Sequence, residues 1–237
     1  MNNAPKSLKT WLAAHLGDLC TPLNSDQAYF RPFVCKGDIE TADIFLVGIN
    51  PATPIHPSDM TLDNYMHLLQ DYDRFLALYS SLRQAQGKTT KSRTRTGMDA
   101  FIQWLSSACG HAILETNVIP YPTKDVKALR KVPEATQAHA KAIFMKLLTT
   151  LKPRLLVVHG KESACVLEEL LINAGLLAAG ETRSAAPIET LESMTPWLKF
   201  TYPDGKLCQV VVCRHFMYYG KSGESFRLFR ERLEKLL

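Results

Sequence analysis

Four apolar runs punctuate the chain, at 43–50 (DIFLVGIN), 112–121 (AILETNVIPY), 154–160 (RLLVVHG) and 207–216 (LCQVVVCRHF). The first, third and fourth are nearly continuous Val, Leu, Ile and Phe, the pattern of strands covered on both faces of their sheet. Between the runs, apolar positions recur at helical spacing. This predicts helices over 62–84, 97–109, 133–151, 162–175 and 223–237, the last with Phe226, Phe229, Leu233 and Leu236 on one face. Pro133 suits a helix start and Gly175 a helix end. Strands alternating with helices imply a parallel sheet. The expectation is an α/β fold: a single three-layer domain over residues 1–237, with a central, mainly parallel four-stranded sheet flanked by helices. Two stretches fit this scheme poorly. One is a helical insertion with a basic loop near 60–97. The other is an irregular or hairpin-like insertion near 176–206, interrupted by Gly180, Pro187, Pro196 and Pro203.

Composition narrows the class. The chain has 237 residues, 46% hydrophobic and 22% charged, which describes an ordinary globular protein and not a disordered one. No apolar run approaches the roughly 20 residues that span a membrane. Residues 1–19 read as a short amphipathic helix and not as a secretory leader. A cytoplasmic monomer with no membrane partner is therefore expected. The six cysteines show no C-x-x-C spacing, and several sit in apolar runs. That favours buried thiols over a metal site or a disulfide framework.

The net charge of +5 is unevenly spread. Residues 87–97 hold Lys88, Lys91, Arg93 and Arg95 with no acid. Residues 124–131 add Lys124, Lys127, Arg130 and Lys131 against Asp125 alone. Local basic patches suit a polyanion partner, with a solvated loop as the alternative reading.

In open parallel sheets, ligands bind beyond the carboxyl ends of the strands. Here those ends carry Gly48, Ile49, Asn50, Pro51 and Ala52; Asn117; His159; and His215. A lone histidine or asparagine at a strand end is commonly structural. Four of them converging on one edge define a candidate site. Lys161 and Ser163 begin the helix after the third strand, where an anion is favoured or Ser163 simply caps the helix.

In order and spacing over residues 40–237, GINPAT, ETNVIPYPT, LLVVHGKESA and VVVCRHFMYYG resemble the four motifs of the uracil-DNA glycosylase superfamily. GINPAT is most similar to the G-I-N-P-G of the mismatch-specific and thymine-DNA glycosylase branch. The resemblance implies a monofunctional DNA glycosylase that flips out a pyrimidine and hydrolyses its N-glycosidic bond with water. It implies DNA as partner, and neither metal nor organic cofactor. Asn50 and His215 become the catalytic residues. An amide is not usefully basic, so Asn50 would hold and orient the water through its carbonyl oxygen. His215 would donate a hydrogen bond to the base as negative charge grows there. Gly48, Ile49, Pro51, Ala52 and Asn117 would surround the base, with the Asn117 amide offering both a donor and an acceptor to its edge. Lys88, Lys91, Arg93, Arg95, Lys161 and Ser163 would hold the DNA.

The chain also departs from that family. Ala52 stands where another branch has a tyrosine closing the pocket on the C5 side of the base. The last motif runs Phe216, Met217, Tyr218, Tyr219 where Pro-Ser and small residues are usual. Met217, Tyr218 and Tyr219 would wedge into the duplex or stack on bases, or else pack in the core. Tyr65, Phe75 and Tyr121 are candidates for the aromatic that stacks on the flipped base. An open C5 side suits a C5-substituted pyrimidine, such as the hydroxymethylated or glucosylated cytosines some phages carry, and so a role in antiviral defence. Repair of uracil or thymine mismatches is an alternative, as is an inactive nucleic-acid-binding protein of the same fold. A different α/β hydrolase is disfavoured, because neither a G-x-S-x-G elbow nor a P-loop is present.

Overall fold

A computed structural model describes residues 8–180 and 183–237. Six strands form one sheet: β1 (Val34–Lys36), β2 (Ala42–Gly48), β3 (Ala112–Asn117), β4 (Leu155–His159), β5 (Leu198–Thr201) and β6 (Leu207–Cys213), in the order β1-β3-β2-β4-β6-β5. Neighbours among β3, β2, β4 and β6 are parallel, and these are the four apolar runs of the sequence. β1 and β5 add antiparallel edges. The sheet is therefore six-stranded and mixed, not four-stranded. β1 is only three residues long. β5 alternates buried and exposed side chains over four residues, the weak signature of a half-covered edge. β5 also turns directly into β6, so the end of the irregular stretch 176–206 is a hairpin; residues 181–182 of that stretch lie outside the described residues.

Nine helices among the described residues flank this sheet: α1 (Leu8–Cys20), α2 (Leu62–Leu69), α3 (Tyr72–Ala85), α4 (Arg93–Cys109), α5 (Val126–Leu129), α6 (Glu134–Leu151), α7 (Lys161–Asn173), α8 (Ile188–Ser193) and α9 (Arg227–Glu234). The amphipathic helix expected over 1–19 is α1, and residues 1–7 lie outside the description. The helix expected over 62–84 is two helices, because Asp71 restarts the chain by accepting from the Arg74 N–H. Ser92 does the same for α4, accepting from the Arg95 N–H. The basic loop therefore ends at Ser92, and Arg93 and Arg95 belong to a helix.

Phe101 on α4 packs tilted against Phe216 and Phe229 and edge-on to Tyr219, tying the last motif and the C-terminal helix to α4. Gly97 permits that approach: a Cβ there would lie 2.1 Å from the Phe216 carbonyl oxygen. Among the described residues no helix is long and apolar enough to cross a membrane. All six cysteines are unpaired, and burial pushes the thiols of Cys35 and Cys208 up to about 12.

Candidate functional site

The parallel strands end together at one edge of the sheet. Gly48 lies opposite Asn117 across β2 and β3, and His159 opposite Cys213 across β4 and β6. Beyond these ends lies a cleft of about 330 Å³ whose lining includes Ile49, Asn50, Pro51, Ala52, Asn117, His159 and His215. This is at the small end of the roughly 300–1,000 Å³ typical of ligand sites, and more than one bare pyrimidine ring fills. Gly48 sets how tightly the polar groups gather, since a Cβ there would meet Asn117 Oδ1 at 2.6 Å and His159 Nε2 at 2.8 Å.

Asn50 is held in one orientation. Its Nδ2 donates to Thr123 Oγ1 at 2.8 Å and to the Pro51 carbonyl at 3.2 Å. The Thr123 hydroxyl proton is already committed to the Asp125 carbonyl, so this oxygen can only accept from Asn50. The amide nitrogen is thereby fixed in place, and the carbonyl oxygen is the acceptor left for a ligand. The Thr123 N–H also donates to the Pro51 carbonyl, closing the loop against β2. Next along the chain, Arg31 donates to the carbonyls of Ala52 and Thr53 at 2.8 and 2.6 Å while its guanidinium lies over Phe75. Thr53 has φ of 62°, a left-handed conformation costly for a β-branched residue, and the Arg31 clamp holds it there.

His215 Nδ1 accepts from the Met217 N–H, which places the ring proton on Nε2. Burial lowers its pKa from the usual 6.5, so the ring is a neutral donor near pH 7. His159 packs edge-on to it, with centroids 5.2 Å apart. Burial, and then the nearby His215 and Arg95, push His159 down to about 3. Neither His159 ring nitrogen has a hydrogen-bond partner among the described residues.

The insertion over 60–97 forms part of the cleft wall. Phe75, Tyr79 and Arg83 of α3, then Ser92, Thr94, Arg95 and Met98, line it. Of the three candidate aromatics, Phe75 lines the cleft. Tyr65 is fully buried against Tyr29, and Tyr121 packs on Phe30 outside the lining.

Several expected DNA contacts need correction. Arg95 is 5% exposed and gripped by Glu115 (2.9 and 2.8 Å), Asp99 (2.6 Å) and the Tyr72 hydroxyl. Burial works against its charge, but these partners more than offset that and keep its pKa raised. It is a wall residue and not a free phosphate ligand. The Ser163 hydroxyl is buried and donates to the His159 carbonyl, so it cannot bind an anion from outside. Lys161 Nζ is engaged by the carbonyls of Ala185 and Ala186. Tyr219 is 2% exposed and packs in the Phe101 cluster, which leaves it unable to wedge. Lys91 pairs with Asp99, and Lys88 is exposed with its Nζ on Gln86. Arg93 is exposed between the cleft-lining Ser92 and Thr94. Met217 and Tyr218 are exposed just past His215.

Sequence reasoning missed Thr123, Arg31 and Glu115. Glu115 was within reach, because it lies two residues before Asn117 and shares its face of β3. Arg31 and Thr123 act through backbone carbonyls and hydroxyls across the fold, which leave no pattern in the sequence. The chain matches no protein-family model, and no curated protein matches it.

Proposed function

We propose that the chain is a monofunctional DNA glycosylase, similar in fold and site to the uracil-DNA glycosylase superfamily, acting on a flipped-out, C5-substituted pyrimidine. The observation that carries this reading is the fixed polarity of the Asn50 amide. Hydrolysis of an N-glycosidic bond proceeds through an oxocarbenium-like sugar and an anionic base. It needs an acceptor to orient a water at the sugar and a donor to receive the charge on the base. Asn50 Oδ1, with its nitrogen tied to Thr123, is the acceptor. His215, with its proton on Nε2, is the donor. A neutral donor is used because burial disfavours the imidazolium.

The cleft volume and the exposed methyl of Ala52 support a base that carries a group on C5, with Phe75 and Tyr79 of α3 bounding the space it would occupy. Modified cytosines of phage DNA fit that description, and their excision would serve defence. Exposed Lys88, Arg93, Lys124, Lys127 and Lys131 supply phosphate contacts. Met217 and Tyr218 stand where they can fill the gap a flipped base leaves.

The test is a panel of labelled DNAs carrying uracil, thymine opposite guanine, 5-hydroxymethylcytosine and glucosylated hydroxymethylcytosine, treated with alkali to cut abasic sites. Release of one base that is lost in both Asn50→Ala and His215→Ala supports the reading. Binding without any release sinks it.

A further inference from the structure

His159 is the unexplained group of the cleft. It is 6% exposed, lines the cavity and has no hydrogen-bond partner on either ring nitrogen among the described residues. A buried polar group left unpaired costs about 1–3 kcal/mol, so an orphan imidazole at a ligand site calls for a role. Its Nε2 shares the space over Gly48 with Asn117 Oδ1. The Asn117 amide itself makes no hydrogen bond to any described residue.

We propose that His159 is a positioning residue that fixes which way the Asn117 amide faces, and so decides which pyrimidine edge the cleft accepts. The inference rests on the glycosylase reading. A cytosine-type edge presents an amino donor beside a ring-nitrogen acceptor. A uracil-type edge presents a carbonyl acceptor beside a ring N–H donor. A half-turn of an amide exchanges its donor and acceptor, so a free asparagine reads both edges and a fixed one reads only one. Neither group is paired with another described residue; in the base-bound cleft the Nε2 proton of His159 turns to Asn117 Oδ1, fixes the carbonyl end over Gly48 and turns the amide nitrogen to the cleft. The carbonyl has two lone pairs, so it serves His159 and the base together. Burial keeps the ring neutral near pH 7, so it acts as a hydrogen-bonding group and not as a charge.

The experiment compares single-turnover release from duplexes carrying 5-hydroxymethylcytosine or 5-hydroxymethyluracil, each also in glucosylated form. The two bases share the C5 group and present opposite edges. The wild type is expected to release one edge at least about tenfold faster, the worth of one hydrogen bond to a buried group. His159→Phe should shrink that preference about tenfold, and His159→Gln, which keeps an N–H, should retain it. In an Asn117→Ala background, His159→Phe should change the preference no further. If His159→Phe is not folded by circular dichroism, His159→Met, which also lacks a donor, is read in its place. An unchanged preference in the donorless variant, or equal release of both edges by the wild type, overturns this inference alone. Release of no base by the wild type overturns the glycosylase reading itself.

Discussion

Asn50 Nδ2 donates to Thr123 Oγ1 at 2.8 Å, and the same hydroxyl donates onward to the Asp125 carbonyl at 2.8 Å. This relay gives the Asn50 amide a direction and leaves its oxygen for a water. Thr123→Val keeps the shape of the side chain and removes the acceptor. Single-turnover base release should fall by about tenfold or more with KM little changed, because water placement and not base binding is lost. The fold should lose only about 1 kcal/mol, as read by urea unfolding.

Gly48 leaves room for two polar groups of the cleft, Asn117 and His159, to crowd over its Cα. In Gly48→Ala the new methyl would meet Asn117 Oδ1 at 2.6 Å and His159 Nε2 at 2.8 Å, so both must move. The variant should fold and still bind DNA. Its base release should drop about 10²-fold, the cost of a misplacement near 1 Å at reacting groups. Wild-type rates in Gly48→Ala would show that Asn117 and His159 need not sit where they do.

The Arg95 network is the rigid part of the wall. Arg95→Met strands Glu115, while Asp99 keeps its partner Lys91. The expected loss is about 3–5 kcal/mol in urea unfolding. The double variant Arg95→Met, Glu115→Met removes the stranded charge and should recover much of that loss.

The pH dependence has a definite sign. The unfolded His159 takes up a proton near 6.5, and the folded one only near 3. Its contribution to stability is therefore complete above pH 6.5 and is lost as pH falls from there toward 3. Between pH 7 and pH 5 the wild type should lose about 2 kcal/mol through this group. His159→Gln should lose that much less over the same interval, measured by urea unfolding at both values. Equal losses would mean that His159 ionises freely in the folded chain.

The sequence and the structure agree where periodicity is strong. β2, β4 and β6 are apolar runs buried on both faces, and their ends locate Asn50, His159 and His215 directly. β1 and β5 escape notice because three or four residues on an edge carry little pattern. The insertion reads as an appendage because its helical spacing is visible and its packing partner is not. Only the packing of Phe75, Tyr79 and Arg95 makes it a wall of the cleft. Arg95 and Ser163 look like phosphate ligands in the sequence, since charge and helix position are legible there and the pairing of Arg95 with Glu115, or of Ser163 with the His159 carbonyl, is not. Tyr219 fails for the same reason: a tyrosine beside an exposed Tyr218 gives no sign that it faces Phe101.

The most direct test of the central claim is chemical. Wild-type protein and Asn50→Ala are incubated with DNA carrying hydroxymethylated or glucosylated cytosine, and the small-molecule fraction is analysed by mass spectrometry for free base. The account predicts free modified base from the wild type, an abasic strand of equal amount, and a loss of both in Asn50→Ala. Release that persists undiminished in Asn50→Ala, or an intact strand with the wild type on every modified and unmodified pyrimidine tested, would contradict it.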